Sequence, residues 1–241
     1  NGVDSACKDM NISCKYVAPG TFDMVEMAKL IDNAVSQNPK GIVITLPDAA
    51  ALGKSVKAAI AAGIPVISMN SGSDDYASLG ISVHVGQTEF EAGVGGGQKM
   101  KAAGGKKALC VNHEVGNVAL DRRCAGFKKG FGGSVDIIGT SNDPTEIQKA
   151  VAAKLGAGYD TILTLGASLS GEPALAAIEA AGKLGKVRLG TFDMSPNMLK
   201  AAAAGKVEFL TDQQQYLQGY LPIVIFAQYM RWGTMPAGVV M

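Results

Sequence analysis

Gly41-Ile42-Val43-Ile44-Thr45-Leu46-Pro47-Asp48 and, one helical run later, Ala61-Ala62-Gly63-Ile64-Pro65-Val66-Ile67-Ser68-Met69-Asn70 decide the fold of this chain. Each contains a short β-branched run, Gly41–Thr45 and Ile64–Ser68, that is apolar at nearly every position rather than at alternate ones. Such strands are buried on both faces, as in parallel sheets, where every strand needs a crossover helix that then covers the sheet. Gly63 supplies the left-handed stop for the helix in between.

The same rhythm extends in both directions. Ser13–Val17, Val83–Val85, Lys107–Val111, Val135–Thr140, Thr161–Leu165, Val187–Thr191 and Val207–Thr211 read as further strands, with helical runs between them. Asp23 and Glu26 form a capping-box-like start, after which Met24, Met27, Ala28, Ile31, Ala34 and Val35 share one helical face. Asp143-Pro144-Thr145-Glu146 is a second start, and Ser195-Pro196 opens a helix over Met198–Ala204 that Gly205 stops; Gly182 closes another. Strict βα alternation predicts an α/β fold of two doubly wound parallel-sheet lobes. No low-complexity linker separates the lobes, so topology divides them: residues 1–87 completed by 214–241, and residues 88–213. Asn1–Met10 reads as the last turns of a helix, and Pro236–Met241 as the start of an extended segment after a helix reaching about Trp232. The sequence is therefore expected to be a piece of a longer protein, lacking a first strand and closing strands.

Charge and composition exclude several functions. The 22 basic and 21 acidic residues nearly cancel, so no global field recruits nucleic acid or an anionic membrane. The longest apolar stretch, Tyr220–Met230, is interrupted by Pro222 and Gln228 and is too short to span a bilayer. Four cysteines and two histidines lack zinc spacing, so no metal is expected. Cys7 with Cys14 and Cys110 with Cys124 form sequence-local pairs: disulfides in an oxidising compartment, or small buried thiols. The first reading is favoured for Cys110 and Cys124, since one lies late in a strand and the other on the helix that packs back on it. For Cys7 and Cys14 it requires a tight turn across Asp9–Ile12, where Asn11 is turn-compatible.

In open parallel sheets ligands sit beyond the carboxyl ends of the strands. Here those positions are polar: Thr45, Asn70, Ser71, Gln87, His113, Glu114, Asn117, Ser168, Asp193, Asp212 and Gln213. Amides, hydroxyls and a carboxylate match vicinal sugar hydroxyls, each of which donates and accepts; the same residue types also serve as strand-end caps and turn formers. Arg123, beside Asp121 and Arg122, either joins a solvated charged face or projects inward as a bidentate donor. Enzyme signatures are missing. Gly93-Val94-Gly95-Gly96-Gly97 is not a phosphate loop and suits close helix packing, His113-Glu114 lacks a second histidine, and no G-x-S-x-G occurs. No catalysis and no cofactor are expected.

The Gly41–Asp48 and Ala61–Asn70 segments, Val85-Gly86-Gln87 with Gly93, Arg123 with Gly126-Phe127, Gly190-Thr191-Phe192-Asp193 and the run from Gly205 to Gln213 resemble periplasmic ribose-type sugar-binding proteins of ABC transporters. The resemblance covers almost the whole chain. It implies two lobes that close like a hinge on a simple sugar or sugar alcohol, with crossings near Gln87–Thr88 and Asp212–Gln214. It also implies a membrane permease as partner, a periplasmic location and a monomer. It puts Thr45, Asn70 and Ser71 on the first rim, and His113, Arg123, Ala167 or Ser168, Asp193 and Gln213 on the second. Where ribose-specific members carry an Asp-Arg pair this chain has Asn70-Ser71, and the first-lobe aromatics that stack on sugar would precede Asn1. Asp193 and Arg123 are expected to make the strongest ligand contacts. The effector domain of a LacI-type regulator shares the fold and is the alternative.

Overall fold

Strand and helix alternate throughout the computed structural model, which describes residues 1–236 and the backbone of 239–240. In chain order the elements begin α1 (Gly2–Met10), α2 (Met24–Ser36), β1 (Ile42–Thr45), α3 (Ala49–Ala61), β2 (Val66–Asn70), a 3-10 turn at Tyr76–Leu79, β3 (Val83–Gly86) and α4 (Glu89–Ala102). They continue as β4 (Lys107–Asn112), α5 (Val118–Phe131), β5 (Ser134–Gly139), α6 (Pro144–Gly156), β6 (Thr161–Thr164), a π-helical turn at Ala167–Gly171 and α7 (Glu172–Ala180). β7 (Arg188–Phe192), α8 (Pro196–Ala203), β8 (Phe209–Thr211), α9 (Gln215–Trp232) and β9 (Val239–Val240) complete the order. Helix starts follow the sequence signals: Asp23, Asp48 and Asp143 each accept two backbone N–H groups, and Ser195 accepts that of Met198.

The chain divides into two units, residues 1–88 with 214–241 and residues 89–213. The first carries a parallel sheet ordered β1-β2-β3-β9. Ile42, Ile44 and Val66 pack toward Ile31 of α2 and Leu52 and Val56 of α3, while Ile67, Val83 and Val85 pack toward Ile225 and Phe226 of α9. The second unit carries a parallel sheet ordered β5-β4-β6-β7-β8. Leu109, Val111, Ile162 and Leu189 face α6, α7 and α8; Ala108, Cys110 and Leu163 face α4 and α5. The winding reverses between β4 and β6, the point where such sheets open a crevice above their strand ends.

One expected strand does not form. Ser13–Val17 is irregular, pairs with no described strand, and leaves Tyr16 72% and Val17 47% exposed. β-propensity expresses itself through a ladder and a covered face, and this segment has neither. β2 starts at Val66 rather than Ile64, because Pro65 has no N–H for the ladder. At the chain's end, Val239–Val240 pairs parallel with Val85–Gly86. The remaining expected extended residues 237, 238 and 241 lie outside the described residues.

α4 and α5 meet through glycines. A Cβ on Gly93 would lie 2.2 Å from the Arg123 carbonyl oxygen, and one on Gly97 2.3 Å from that of Phe127. Reciprocally, Gly126 would strike Phe90 O at 2.0 Å and Gly130 would strike Val94 O at 2.0 Å. The glycine run is thus a helix-packing seam. Both cysteine pairs are disulfides, with Cα separations of 6.1 Å for Cys7–Cys14 and 5.8 Å for Cys110–Cys124. Asn11 makes the turn between the first pair in the left-handed conformation, φ 52°.

Two outcomes follow for stability. Gly126→Ala should cost about 1–3 kcal/mol or more, because the obstacle is backbone, which cannot rotate away; urea unfolding of parent and variant measures this. Replacing both Cys110 and Cys124 with alanine should cost roughly 3 kcal/mol, the loop-closure value for a bridge of this span. A denaturation midpoint equal to the parent's in either case would contradict the packing described.

Candidate ligand-binding site

The carboxyl ends of β4, β6, β7 and β8 bring a connected set of polar side chains together in the second unit. Arg123, on the α5 face that covers the sheet, is only 4% exposed. Its Nε and Nη2 donate to the two carboxylate oxygens of Glu89, Nη1 to the carbonyl of Leu165 at 3.4 Å, and Nη2 also to Gln213 Oε1 at 2.6 Å. Its guanidinium lies 4.7 Å from the centre of the Phe192 ring. Gln213 Nε2 in turn donates to Asp193 Oδ1. The chain runs Glu89, Arg123, Gln213, Asp193: a neutralised guanidinium passes orientation through an amide to a carboxylate. Asp193 has φ 68° and its N–H donates to Thr211 O at 2.9 Å, so the left-handed turn after β7 aims its side chain.

His113 follows β4 and is 6% exposed. Its Nδ1 lies 3.3 Å from Ser170 Oγ, in the π-helical turn after β6. Burial, with the Arg123 charge nearby, lowers its pKa to about 4, which keeps the ring neutral at pH 7. Asn112 holds the loop between β4 and α5, donating to Asp121 at 2.8 Å and accepting the Glu114 N–H at 3.0 Å.

The rim of the first unit is smaller. Thr45 Oγ1 donates to Ser71 Oγ at 3.4 Å, Ser71 donates to Asn70 Oδ1 at 3.0 Å, and Asn70 Nδ2 donates to Gln218 Oε1 of α9 at 3.1 Å. Asn70, like Asp193, adopts positive φ, 62°. Below it, His84 pairs through Nδ1 with Ser68 Oγ at 2.9 Å and stacks on Tyr76. Burial lowers His84 to about 4, with the Asp74 charge acting in the opposite sense. Gln87, 8% exposed, follows β3.

A family model described as "Periplasmic binding protein domain" matches residues 1–234. The chain belongs to this family. A carbohydrate transporter protein from Acidothermus cellulolyticus, solved in complex with myo-inositol, is 31% identical and superimposes with a TM-score of 0.93, covering 100% of this chain and 84% of that one. A periplasmic sugar-binding protein from Legionella pneumophila shares the fold, at 24% identity and a TM-score of 0.90 over 99% of this chain and 91% of that one. A xylose/arabinose-binding protein of Sulfolobus acidocaldarius is 23% identical over 95% of this chain; the match spans 61% of that relative's length.

Against this periplasmic binding protein frame, the residues named from sequence divide three ways. His113, Arg123, Asp193 and Gln213 converge in the second unit, and Thr45, Asn70 and Ser71 bond to one another in the first. Arg123 belongs to no solvated face. Asn117 caps α5, accepting the Ala119 N–H at 3.0 Å and donating to Glu114 at 2.7 Å, so its amide has a structural task. Ser168 is exposed, whereas Ser170, two residues on, is fully buried and reaches His113. Glu89, Ser170 and Gln218 were not recognised from sequence. Glu89 opens α4, where an acidic residue reads as a partner of the helix dipole, and nothing local signals that it pairs with an arginine 34 residues away.

The two buried histidines make acid sensitivity predictable. Each is lowered from 6.5 to about 4 in the folded chain. Between those values the unfolded state binds the extra proton, so stability is complete above about pH 6.5 and declines as pH falls toward 4. The slope is at most about 1.4 kcal/mol per pH unit for each histidine. Unfolding midpoints measured across this window should fall with acid, and His84→Gln should flatten part of the decline. A flat profile in the parent would contradict the burial of both rings as neutral species.

Proposed function

We propose that this chain is the solute-binding part of an ABC transporter, acting in the periplasm, and that a simple sugar or sugar alcohol is its ligand. The observation that carries the reading is the second-unit rim, where Asp193 is braced by Gln213 and the Arg123 guanidinium that holds Gln213 is itself matched by Glu89. Such a rim offers a carboxylate, an amide and an imidazole to hydroxyl groups, and its guanidinium is already matched by Glu89. The rim of Thr45, Asn70, Ser71 and Gln87 would supply the complementary contacts, with the two units closing on the ligand, as the family resemblance implies. Arg123 then acts mainly by holding Gln213, and Asp193 makes the strongest direct contact.

The disulfide in each unit favours an oxidising compartment over the cytosol, and with it transport over gene regulation. A membrane permease is the partner in this reading, the chain works as a monomer without nucleic acid or cofactor, and it performs no catalysis. Among the described residues no helix is long and apolar enough to cross a membrane.

Calorimetric titration with myo-inositol, D-xylose, L-arabinose and D-ribose tests it. At least one should bind, and Asp193→Ala should weaken that binding by roughly ten- to a hundredfold, the value of about 1.5–3 kcal/mol for a hydrogen bond to a charged group. Lys186→Ala, at an exposed position, should change nothing. If no polyol binds, or if a folded Asp193→Ala protein binds as tightly as the parent, the reading fails.

A further inference from the structure

Arg123 joins the two ends of the second unit. That unit begins at Glu89, where the chain leaves the first unit after Thr88, and it ends at Gln213, before the chain returns at Gln214. Neither crossing belongs to a helix or a strand: β3 stops at Gly86 and α4 starts at Glu89, while β8 stops at Thr211 and α9 starts at Gln215. In such segments, outside any ladder, side-chain contacts supply much of the order. Both crossings are fastened to the same guanidinium. Nη2 donates to Glu89 Oε1 at 3.1 Å and to Gln213 Oε1 at 2.6 Å, across 34 and 90 residues of sequence, and Nε donates to Glu89 Oε2. The anchor itself is held on the sheet. Nη1 donates to the Leu165 carbonyl just beyond β6 at 3.4 Å, the guanidinium lies 4.7 Å from the centre of the Phe192 ring at the end of β7, and the neighbouring Cys124 is bonded to Cys110 of β4. Glu89, Arg123 and Gln213 are all buried, where charge-assisted bonds are strong and directional.

We propose that Arg123, with Glu89, clamps both crossings at their second-unit ends, so that residues 87–89 and 212–214 are ordered together and Gln213 is aimed at Asp193 before any ligand arrives. The effect on affinity rests on the polyol-binding reading above; the ordering of the crossings does not. Glu89 is a positioning residue that acts on Asp193 through Arg123 and Gln213 and touches no ligand. Without the clamp only a fraction of molecules holds Gln213 and Asp193 in the binding arrangement, and affinity falls by that fraction whatever the ligand.

Residue-resolved hydrogen exchange of the full chain tests the clamp, in the parent, in Glu89→Gln and in a double variant with Glu89→Leu and Arg123→Met. The double variant removes both charges together, which buried pairs tolerate, and it decides the matter where the single substitution does not fold. In each folded variant the backbone amides of residues 212–214 should exchange about tenfold faster than in the parent, along with those of 87–89, while β4 and β6 keep the parent's rates. A glutamate serving only the start of α4 would loosen the first turn of that helix and leave 212–214, at the other end of the unit, unchanged. Titration with whichever of myo-inositol, D-xylose, L-arabinose or D-ribose binds, and with its single-deoxy analogues, reads the consequence: the Glu89 substitution should weaken all of them by one common factor of about three to ten. Exchange at 212–214 equal to the parent's in a folded variant overturns the clamp. A penalty that is absent, or that differs from one analogue to the next, overturns the positioning role. If no polyol binds the parent, the function proposed above fails, and the exchange rates still judge the clamp.

Discussion

A guanidinium 4% exposed must be neutralised from within the protein, and Glu89, itself 3% exposed, does this for Arg123. Removing either partner would leave a buried charge uncompensated, which costs about 3–5 kcal/mol in comparable cases. The pair alone contributes little net stability, since each ion also lost its water. Its value lies in direction: with both carboxylate oxygens engaged, the guanidinium plane is fixed, and the remaining donor of Nη2 can meet only Gln213. The amide of Gln213 is thereby oriented, oxygen toward Arg123 and nitrogen toward Asp193.

That geometry depends on how closely α4 approaches α5. Glu89 lies one turn before Gly93, and Arg123 lies on the turn before Gly126 and Gly130. The four glycines that let the backbones touch bring a first-turn carboxylate within reach of a guanidinium on the neighbouring helix. Cys124, next to Arg123, is bonded to Cys110 of β4, so α5 is held against the sheet by a covalent link as well as by Phe127 and Phe131. Sequence features that look unrelated, a glycine run, a cysteine pair and an acidic helix start, act on the same side chain.

Much of this was legible in the sequence, for identifiable reasons. Apolar runs of strand length and Asp or Ser caps are local signals, and the helices that begin after Asp23, Asp143 and Ser195 start where those residues direct. Ser13–Val17 misled because a strand exists only with a neighbour to pair with. Strand-end polarity names the polar residues that the structure gathers after β4, β7 and β8, but composition does not distinguish an aimed side chain from a cap such as Asn117, and it gives no sign of the Glu89–Arg123 pair. Ser168 and Ser170 lie in one π-helical turn and differ in which side of it they face, outward and inward respectively, and no local pattern reveals that turn.

The two rims share one device. Asn70 after β2 and Asp193 after β7 adopt left-handed φ, a conformation costing most side-chain-bearing residues about 1–2 kcal/mol. Asn and Asp tolerate it best because their short polar groups bond nearby. Here each is braced by a glutamine within its own unit, Asn70 by Gln218 and Asp193 by Gln213. Those glutamines flank the point where the chain leaves one unit for the other, and Gln214 between them has φ 52°. The second of the two crossings between the units therefore lies beside a hydrogen-bond partner for the turned strand end of each. Each turned strand end is thus held by a side chain that lies within five residues of Gln214, Gln213 on one side and Gln218 on the other.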